Sequence, residues 1–181
     1  MRILILGGAT SGKSDFAQEL ALALAGTGKR YYVATMIPAD DEDRAKIRSH
    51  LRRRDGMEFE TVEQGRHICE CLERTDLKGT ILLDSLTSLL TNELFPREKN
   101  YMQDTESAEQ CRKDMLELTD RMENLVIVAD NLFFDAVHYD AATDSFRRFL
   151  GEICCELAGK CDTVLEMSCG NLTIHKGELP K

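Results

Sequence analysis

The residues best suited to chemistry form a glycine-rich stretch near the start of the chain. Four apolar residues, 3–6, lead directly into the sequence GGATSGKS at positions 7–14. Gly7 and Gly12-Lys13-Ser14 fit the pattern G-x-x-x-x-G-K-[ST] between a strand and a helix, which is typical of a phosphate-binding loop. Lys13 is expected to bridge the β- and γ-phosphates of a nucleoside triphosphate, and Ser14 to offer its hydroxyl to Mg²⁺. We therefore expect nucleotide contacts from Gly7, Gly8, Ala9, Thr10, Ser11, Gly12, Lys13 and Ser14.

A carboxylate suited to the same metal ion ends a second apolar run. Residues 80–84 read Thr-Ile-Leu-Leu-Asp, so Asp84 stands at the carboxyl end of a predicted strand, where it would hold Mg²⁺ directly or through water. Asp also caps helices well, and a helix is expected to begin near Leu86; the two roles are compatible. No Asn-Lys-x-Asp stretch is present to read guanine. This disfavours a switch GTPase and leaves a phosphotransferase or an ATP-driven motor or switch.

A third group is His50, in a segment whose charges are sorted along its axis. Acids crowd the start of residues 41–54 and arginines the end, which offsets the helix dipole and is by itself a sufficient structural reason for the arginines. Ile47, His50, Leu51 and Arg54 fall at i, i+3, i+4 and i+7, on one predicted inward face. His50 is then either a half-buried packing residue or a neutral imidazole, kept so by neighbouring cations, that attacks phosphorus. The spacing leaves both interpretations open.

Taken together, these motifs resemble the bifunctional adenosylcobinamide kinase/adenosylcobinamide-phosphate guanylyltransferases of cobalamin biosynthesis. The stretch GGATSGKS is similar to that family's GGxRSGKS loop, with Thr10 at the position of the usual arginine. The resemblance covers residues 1–95 in consistent order. Beyond the loop it rests on Tyr32-Val33-Ala34-Thr35, Asp41-Glu42, Ile47-x-x-His50, Thr61-x-Glu63, Leu82-Leu83-Asp84-Ser85-Leu86-Thr87 and Thr91-Asn92.

This resemblance implies two reactions at one nucleotide site. The first passes the γ-phosphate of ATP or GTP to the aminopropanol hydroxyl of adenosylcobinamide. In the second, His50 attacks the α-phosphate of GTP, and the guanylyl group then moves to adenosylcobinamide phosphate. A covalent intermediate divides one difficult exchange into two displacements. Catalysis would therefore rest on His50 and Lys13, with Mg²⁺ at Ser14 and Asp84.

The resemblance also implies a RecA-like P-loop fold, a homo-oligomer (a trimer in the family) and further contacts with the nucleotide. The further contacts would come from Thr35, Met36, Ile37, Leu51, Arg52, Arg53, Arg54 and Glu63.

The second half of the chain departs from the family pattern. Where the family shows [ST]-N-E-V-G-x-G-I-[VI]-P, residues 129–136 read ADNLFFDA and keep only Asn131; where it shows F-R-D-x-x-G-x-x-N, Cys154 replaces the asparagine. Losing glycines and an acid changes the conformation and charge of a loop. If that loop meets the corrinoid, a paralogue with a different acceptor becomes an alternative. A nucleotide-binding regulator without catalysis is the alternative from another class.

The elements that must position these residues alternate along the chain. Strands are predicted at 2–6, 31–35, 80–84, 125–129 and 163–167, with a terminal edge strand at 172–175; helices are predicted at 13–25, 41–54, 66–74, 106–122 and 143–159. Apolar strands separated by helices predict an α/β fold, a mostly parallel sheet with helices on both faces. Stretches 96–105 and 131–142 fit no element and follow predicted strand or helix ends, so both are candidates for contact with substrate. A solvated surface loop is the alternative for 96–105.

Composition sets the remaining expectations. The 181 residues are expected to form a single domain, and a net charge of −9 argues against nucleic acid as a partner. The chain shows no apolar run of the length that a signal peptide or membrane span needs, and its seven cysteines lack zinc-knuckle spacing. We therefore expect a cytoplasmic protein with reduced thiols, which binds a nucleoside triphosphate and a corrinoid substrate.

Overall fold

The central strands are apolar along their length because helices cover both faces of the sheet they form. The computed structural model describes residues 1–133 and 137–180, apart from the side chains of Lys46, Ser49, His50 and Arg53. The strands are β1 Arg2–Gly7, β2 Arg30–Ala34, β3 Glu60–Glu63, β4 Thr80–Asp84, β5 Asn124–Asp130, β6 Thr163–Ser168 and β7 Asn171–Lys176. They form one sheet in the order β3-β2-β4-β5-β1-β6-β7, parallel except where β7 pairs with β6. The predicted mostly parallel sheet is confirmed.

Helices lie on both faces of this sheet, as expected. They are α1 Lys13–Ala25, α2 Asp41–Arg53, α3 Leu86–Leu94, α4 Thr105–Arg121 and α5 Ala141–Lys160. Helix α1 packs on one face through Ala17, Leu20 and Ala21, whereas α3, α4 and α5 share the larger core on the other face. Within the described part of the chain, no helix has the length and apolar character needed to cross a bilayer.

The start of α3 decides one of the two roles that the sequence allowed for Asp84, capping of the helix and binding of a metal ion. The N-cap of α3 is Ser85, whose Oγ accepts a hydrogen bond from the backbone N–H of Ser88 at 3.3 Å. Asp84 is therefore not the capping residue. Its carboxylate is left to interact at the edge of the sheet.

Two regions differ from the sequence prediction. Residues 66–74 are not an α-helix: a 3₁₀ helix spans Ile68–Arg74, preceded by His67 in the left-handed region at φ 49°. Glu93 accepts the His67 N–H at 2.6 Å and so replaces a helical partner there. Strand β3 was not predicted because it is a short edge strand in which only Val62 is buried, which leaves too little apolar pattern to detect.

The seven cysteines are free thiols in distinct environments. Cys155 and Cys169 are exposed, Cys69 is half-buried, and the others, Cys71, Cys111, Cys154 and Cys161, are buried. Burial raises the pKa of Cys71 and Cys161 to about 11, and that of Cys69 and Cys154 to about 12. The pKa of Cys111 is raised by burial as well.

Thiol titration with Ellman's reagent at pH 8 is expected to separate these groups. The thiolate is the reactive form, and a pKa well above 8 leaves the five shielded thiols protonated. Two cysteines, Cys155 and Cys169, should react rapidly in the native protein, and all seven after denaturation. A third fast thiol in the native protein would contradict the burial described here.

Candidate nucleotide site

The glycine-rich loop between β1 and α1 has the geometry of an anion cradle. A Cβ at Gly7 would lie 2.6 Å from Ser11 Oγ and 2.7 Å from the Met167 carbonyl oxygen, so only glycine fits there. Gly12 takes φ 90° and precedes α1 without a side-chain cap. The first N–H groups of α1 are therefore available to an anion, where the helix dipole favours negative charge.

Lys13 is held across this cradle by two partners. Its Nζ donates to the Gly8 carbonyl oxygen at 2.9 Å and pairs with Asp130 Oδ1 at 2.7 Å, and only 9% of the residue is exposed. Asp130 ends β5, beside β1 in the sheet, and its Cα pairs with that of Gly7. The ammonium of Lys13 is thus paired with a carboxylate from the neighbouring strand.

Asp130 was not among the predicted site residues. The signal was present in the sequence, because Asp130 follows the apolar run 125–129 just as Asp84 follows 80–83. The carboxyl ends of parallel strands meet at one edge of a sheet, so both acids belong to the same edge.

Asp84 lies two strands away from β1, since β5 is inserted between β4 and β1. With strands about 4.8 Å apart, this puts the two strand ends roughly 10 Å from each other. Tyr32 Oη donates to Asp84 Oδ2 at 2.8 Å. Burial, and next the Asp84 charge, raise the pKa of Tyr32 well above its ordinary value, so the phenol stays a hydrogen-bond donor at neutral pH.

A cleft of about 570 Å³ opens beside Asp84. Its walls come from β2 and the segment after it, from one face of α2, from the end of β3 and from the β4–α3 turn. Of the predicted contacts, the cleft is lined by Met36, Ile37, Arg54, Glu63 and Asp84. The phosphate cradle is not part of its lining and lies further along the same sheet edge.

Helix α2 presents Arg44, Ile47 and Arg48 to the cleft. The two arginines were not among the predicted site residues, although their i, i+4 spacing around Ile47 puts all three on one helical face. The predicted inward stripe is wrong at Leu51, which is 48% exposed. Arg54 lies one residue beyond the helix end but is buried, as the stripe predicts. A helix standing over a cleft instead of a core needs no apolar stripe.

The side chains of His50 and Arg53 lie outside the described part of the structure, so only their places on α2 are given. His50 is one turn before the C-terminal end of the helix. Its neighbours Leu51 and Arg52 are exposed and do not line the cleft.

Thr35 is completely buried, and its hydroxyl is engaged within the protein. Thr35 Oγ1 donates to the Ser85 carbonyl oxygen at 2.7 Å and accepts from the Ser85 N–H at 2.8 Å, which ties the end of β2 to the β4–α3 turn. Asn92 Nδ2 donates to the carbonyl oxygens of Thr35 and Gly65, at 2.8 and 2.9 Å. These bonds fix the wall behind the cleft.

The part of loop 131–142 that is described is anchored to the sheet and α5. Asn131 donates its backbone N–H to the Gly7 carbonyl oxygen at 3.0 Å and its Nδ2 to Glu166 at 2.9 Å. Arg147 Nε donates to the Leu132 carbonyl oxygen at 2.8 Å. Residues 134–136 of the departing stretch lie outside the described residues.

The amino-acid sequence of the chain matches a known protein family. Residues 3–174 match the family described as cobinamide kinase / cobinamide phosphate guanyltransferase. The chain belongs to this family. It is 35% identical over 96 residues to the bifunctional adenosylcobalamin biosynthesis protein CobU of Escherichia coli K12, covering 52% of this chain and 51% of the relative. It therefore spans about half the length of that relative.

A second relative is matched over more of its length. The bifunctional adenosylcobalamin biosynthesis protein CobP of Pseudomonas aeruginosa PAO1 is 34% identical over 132 residues, or 72% of this chain and 71% of the relative. Among solved structures, a KaiC-like protein of Pyrococcus horikoshii OT3 aligns with a TM-score of 0.51 and 14% identity, over 98% of this chain and 79% of that one. This likeness shows the fold alone and confirms the RecA-like P-loop class.

Replacing Lys13 with alanine is expected to weaken binding of a fluorescent nucleoside triphosphate by at least about tenfold. The reason is that a hydrogen bond to a charged group contributes about 1.5–3 kcal/mol. Lys29→Ala is the matched control, because Lys29 is 68% exposed and precedes β2 at the opposite edge of the sheet. Equal affinities for the two variants, measured by fluorescence titration, would remove Lys13 from the site.

Proposed function

We propose that this chain phosphorylates the aminopropanol hydroxyl of adenosylcobinamide with ATP or GTP, and transfers GMP from GTP to adenosylcobinamide phosphate through His50. The observation that carries the proposal is the joint arrangement of a phosphate cradle and a cleft walled by the helix that holds His50. Membership of the family supports the two activities and the corrinoid acceptor. We also propose a trimer, which the resemblance implies, and a single domain and a cytoplasmic location, which length and composition predict.

In the kinase reaction, Lys13 would exchange Asp130 for oxygens of the β- and γ-phosphates. The acceptor hydroxyl attacks the γ-phosphorus, the bond to the β-phosphate oxygen breaks, and the hydroxyl proton is released. Positioning and charge neutralisation supply most of the catalysis in such transfers. The cradle amides and the Lys13 ammonium provide both.

In the guanylyltransferase reaction, a neutral ring nitrogen of His50 would attack the α-phosphorus of GTP, and pyrophosphate would leave. The phosphate of the acceptor then attacks the same phosphorus, and the bond from phosphorus to His50 breaks. Arg44 and Arg48 line the cleft and bring positive charge to the phosphates. Such charge stabilises the pentacoordinate transition state.

The residues at the sheet edge fit a magnesium ion. Asp84 lines the cleft with its Oδ2 held by Tyr32, while Ser14 is half-buried in the first turn of α1. No group of three or more histidine, cysteine or acidic side chains suited to a metal is found among the described residues. That agrees with Mg²⁺, which takes one or two carboxylates and completes its shell with phosphates and water. Bound there, Mg²⁺ would neutralise phosphate charge.

Incubation with GTP labelled at the α-phosphate is expected to leave a covalent label on the denatured protein. A phosphoramidate at His50 is labile to acid and stable to base, and the label should be lost in His50→Ala. His138→Ala, an exposed histidine outside the cleft, is the matched control and should label normally.

Three results would separate the alternatives. Label that adenosylcobinamide phosphate discharges supports the full reaction, and label that it does not discharge indicates a paralogue with another acceptor. GTP binding without any covalent label contradicts the guanylyltransferase and favours a regulator.

Replacing both Arg44 and Arg48 with alanine is expected to slow His50 labelling by at least about tenfold, because each charge-assisted hydrogen bond to phosphate is worth about 1.5–3 kcal/mol. Arg121→Ala is the control, since Arg121 ends α4 away from the cleft. Initial labelling rates at saturating GTP provide the measurement. An unchanged rate in the double variant would show that Arg44 and Arg48 make no contact with the phosphates.

A further inference from the structure

We propose that Tyr32 is a positioning residue for both halves of the site. Its hydroxyl orients Asp84, and its ring anchors Arg54 and with it the C-terminal end of the helix that carries His50. This inference rests on the proposed function for the roles of Asp84 and His50. The contacts that support it are present in the structure.

The ring of Tyr32 is fixed from two sides. Tyr32 is 4% exposed, and Phe59 meets its ring edge-to-face, with centroids 6.3 Å apart and planes at 75°. The guanidinium carbon of Arg54 lies 3.3 Å from the ring centroid. A desolvated cation over an aromatic face is a strong form of this contact, so ring and guanidinium hold each other in place.

The hydroxyl of Tyr32 reaches Asp84 because of the sheet register. Tyr32 pairs with Leu82, and Asp84 lies two residues further along β4, so all three side chains share one face. The 2.8 Å bond to Oδ2 holds one oxygen of the carboxylate and so fixes the orientation of the group at the sheet edge. Loss of this bond would let the carboxylate rotate away from the metal position.

The stack of Arg54 on Tyr32 attaches the C-terminal end of α2 to the sheet. None of the helix side chains that are described is buried, whereas Arg54, the residue after the helix, is only 8% exposed. Arg54 lies in the turn after the helix, where its backbone N–H donates a hydrogen bond to the Leu51 carbonyl oxygen at 3.2 Å. His50 precedes it by four residues, or about 6 Å along a helix axis. The stack therefore sets how far His50 stands from the sheet.

Two variants separate these roles. Tyr32→Phe keeps the ring and removes the hydroxyl, so the Mg²⁺ concentration that half-saturates binding of a fluorescent GTP analogue should rise about fivefold. Saturating Mg²⁺ should then restore the rate of His50 labelling. Arg54→Met keeps the bulk and removes the cation, so labelling should slow about tenfold at any Mg²⁺ concentration.

Tyr31→Phe is the matched control, because it removes a buried hydroxyl from the same strand on the opposite face of the sheet. Tyr31 Oη accepts the Asp76 N–H at 3.2 Å, and Tyr31 does not line the cleft. This variant should lower the melting temperature about as much as Tyr32→Phe does while leaving both readouts unchanged. A merely structural role for Tyr32 would make the two tyrosine variants alike.

Each of the two proposed roles of Tyr32, at Asp84 and at α2, has an outcome that would contradict it. Unchanged Mg²⁺ dependence in Tyr32→Phe overturns the role at Asp84, and a normal labelling rate in Arg54→Met overturns the role at α2. A wild-type protein that binds nucleotide but forms no label contradicts the proposed guanylyl transfer instead. The Mg²⁺ titration then still decides the Asp84 arm, because it measures binding.

Discussion

The site depends on the parallel pairing of β2, β4, β5 and β1, which brings the carboxyl ends of four strands to one edge. Register puts Gly7 beside Asp130 and Ala34 beside Asp84. Neither acid is near the phosphate loop in sequence; the sheet alone brings them there. Because the strands are buried on both faces, their register cannot slip without exposing the core. The geometry of the edge is therefore as rigid as the core.

Electrostatics at this edge differ from those of the chain as a whole. The protein carries a net charge of −9, yet the cleft is lined by three arginines, Arg44, Arg48 and Arg54, and by two acids, Asp84 and Glu63. Under the proposed function, these arginines supply the positive charge for a polyphosphate that the average surface would repel. The arginines come from one helix and the turn after it, whereas the acids come from strand ends.

Much of this arrangement is readable from sequence because it follows local rules. The loop at residues 7–14 and the acid of Asp84 each follow an apolar strand, and that pattern needs no knowledge of distant residues. The sequence does not show which residues that are distant along the chain contact each other. The contact between Lys13 and Asp130, and the stack of Arg54 on Tyr32, depend on strand order and on where α2 returns to the sheet. Periodicity misplaced Leu51 because it treats every helix as packed on a core.

The attachment of α2 explains why its charges are sorted so strongly. A helix that buries none of its described side chains gains little from packing, so it depends on its own backbone and termini. Asp41, Glu42 and Asp43 in the first turn oppose the positive end of the dipole, and Arg52 near the last turn opposes the negative end. Arg54 then adds a buried contact, its stack on Tyr32. Under the proposed function, the stack of Arg54 on Tyr32 holds the end of the helix that carries the reactive His50. The helix face that lines the cleft then remains accessible to phosphate.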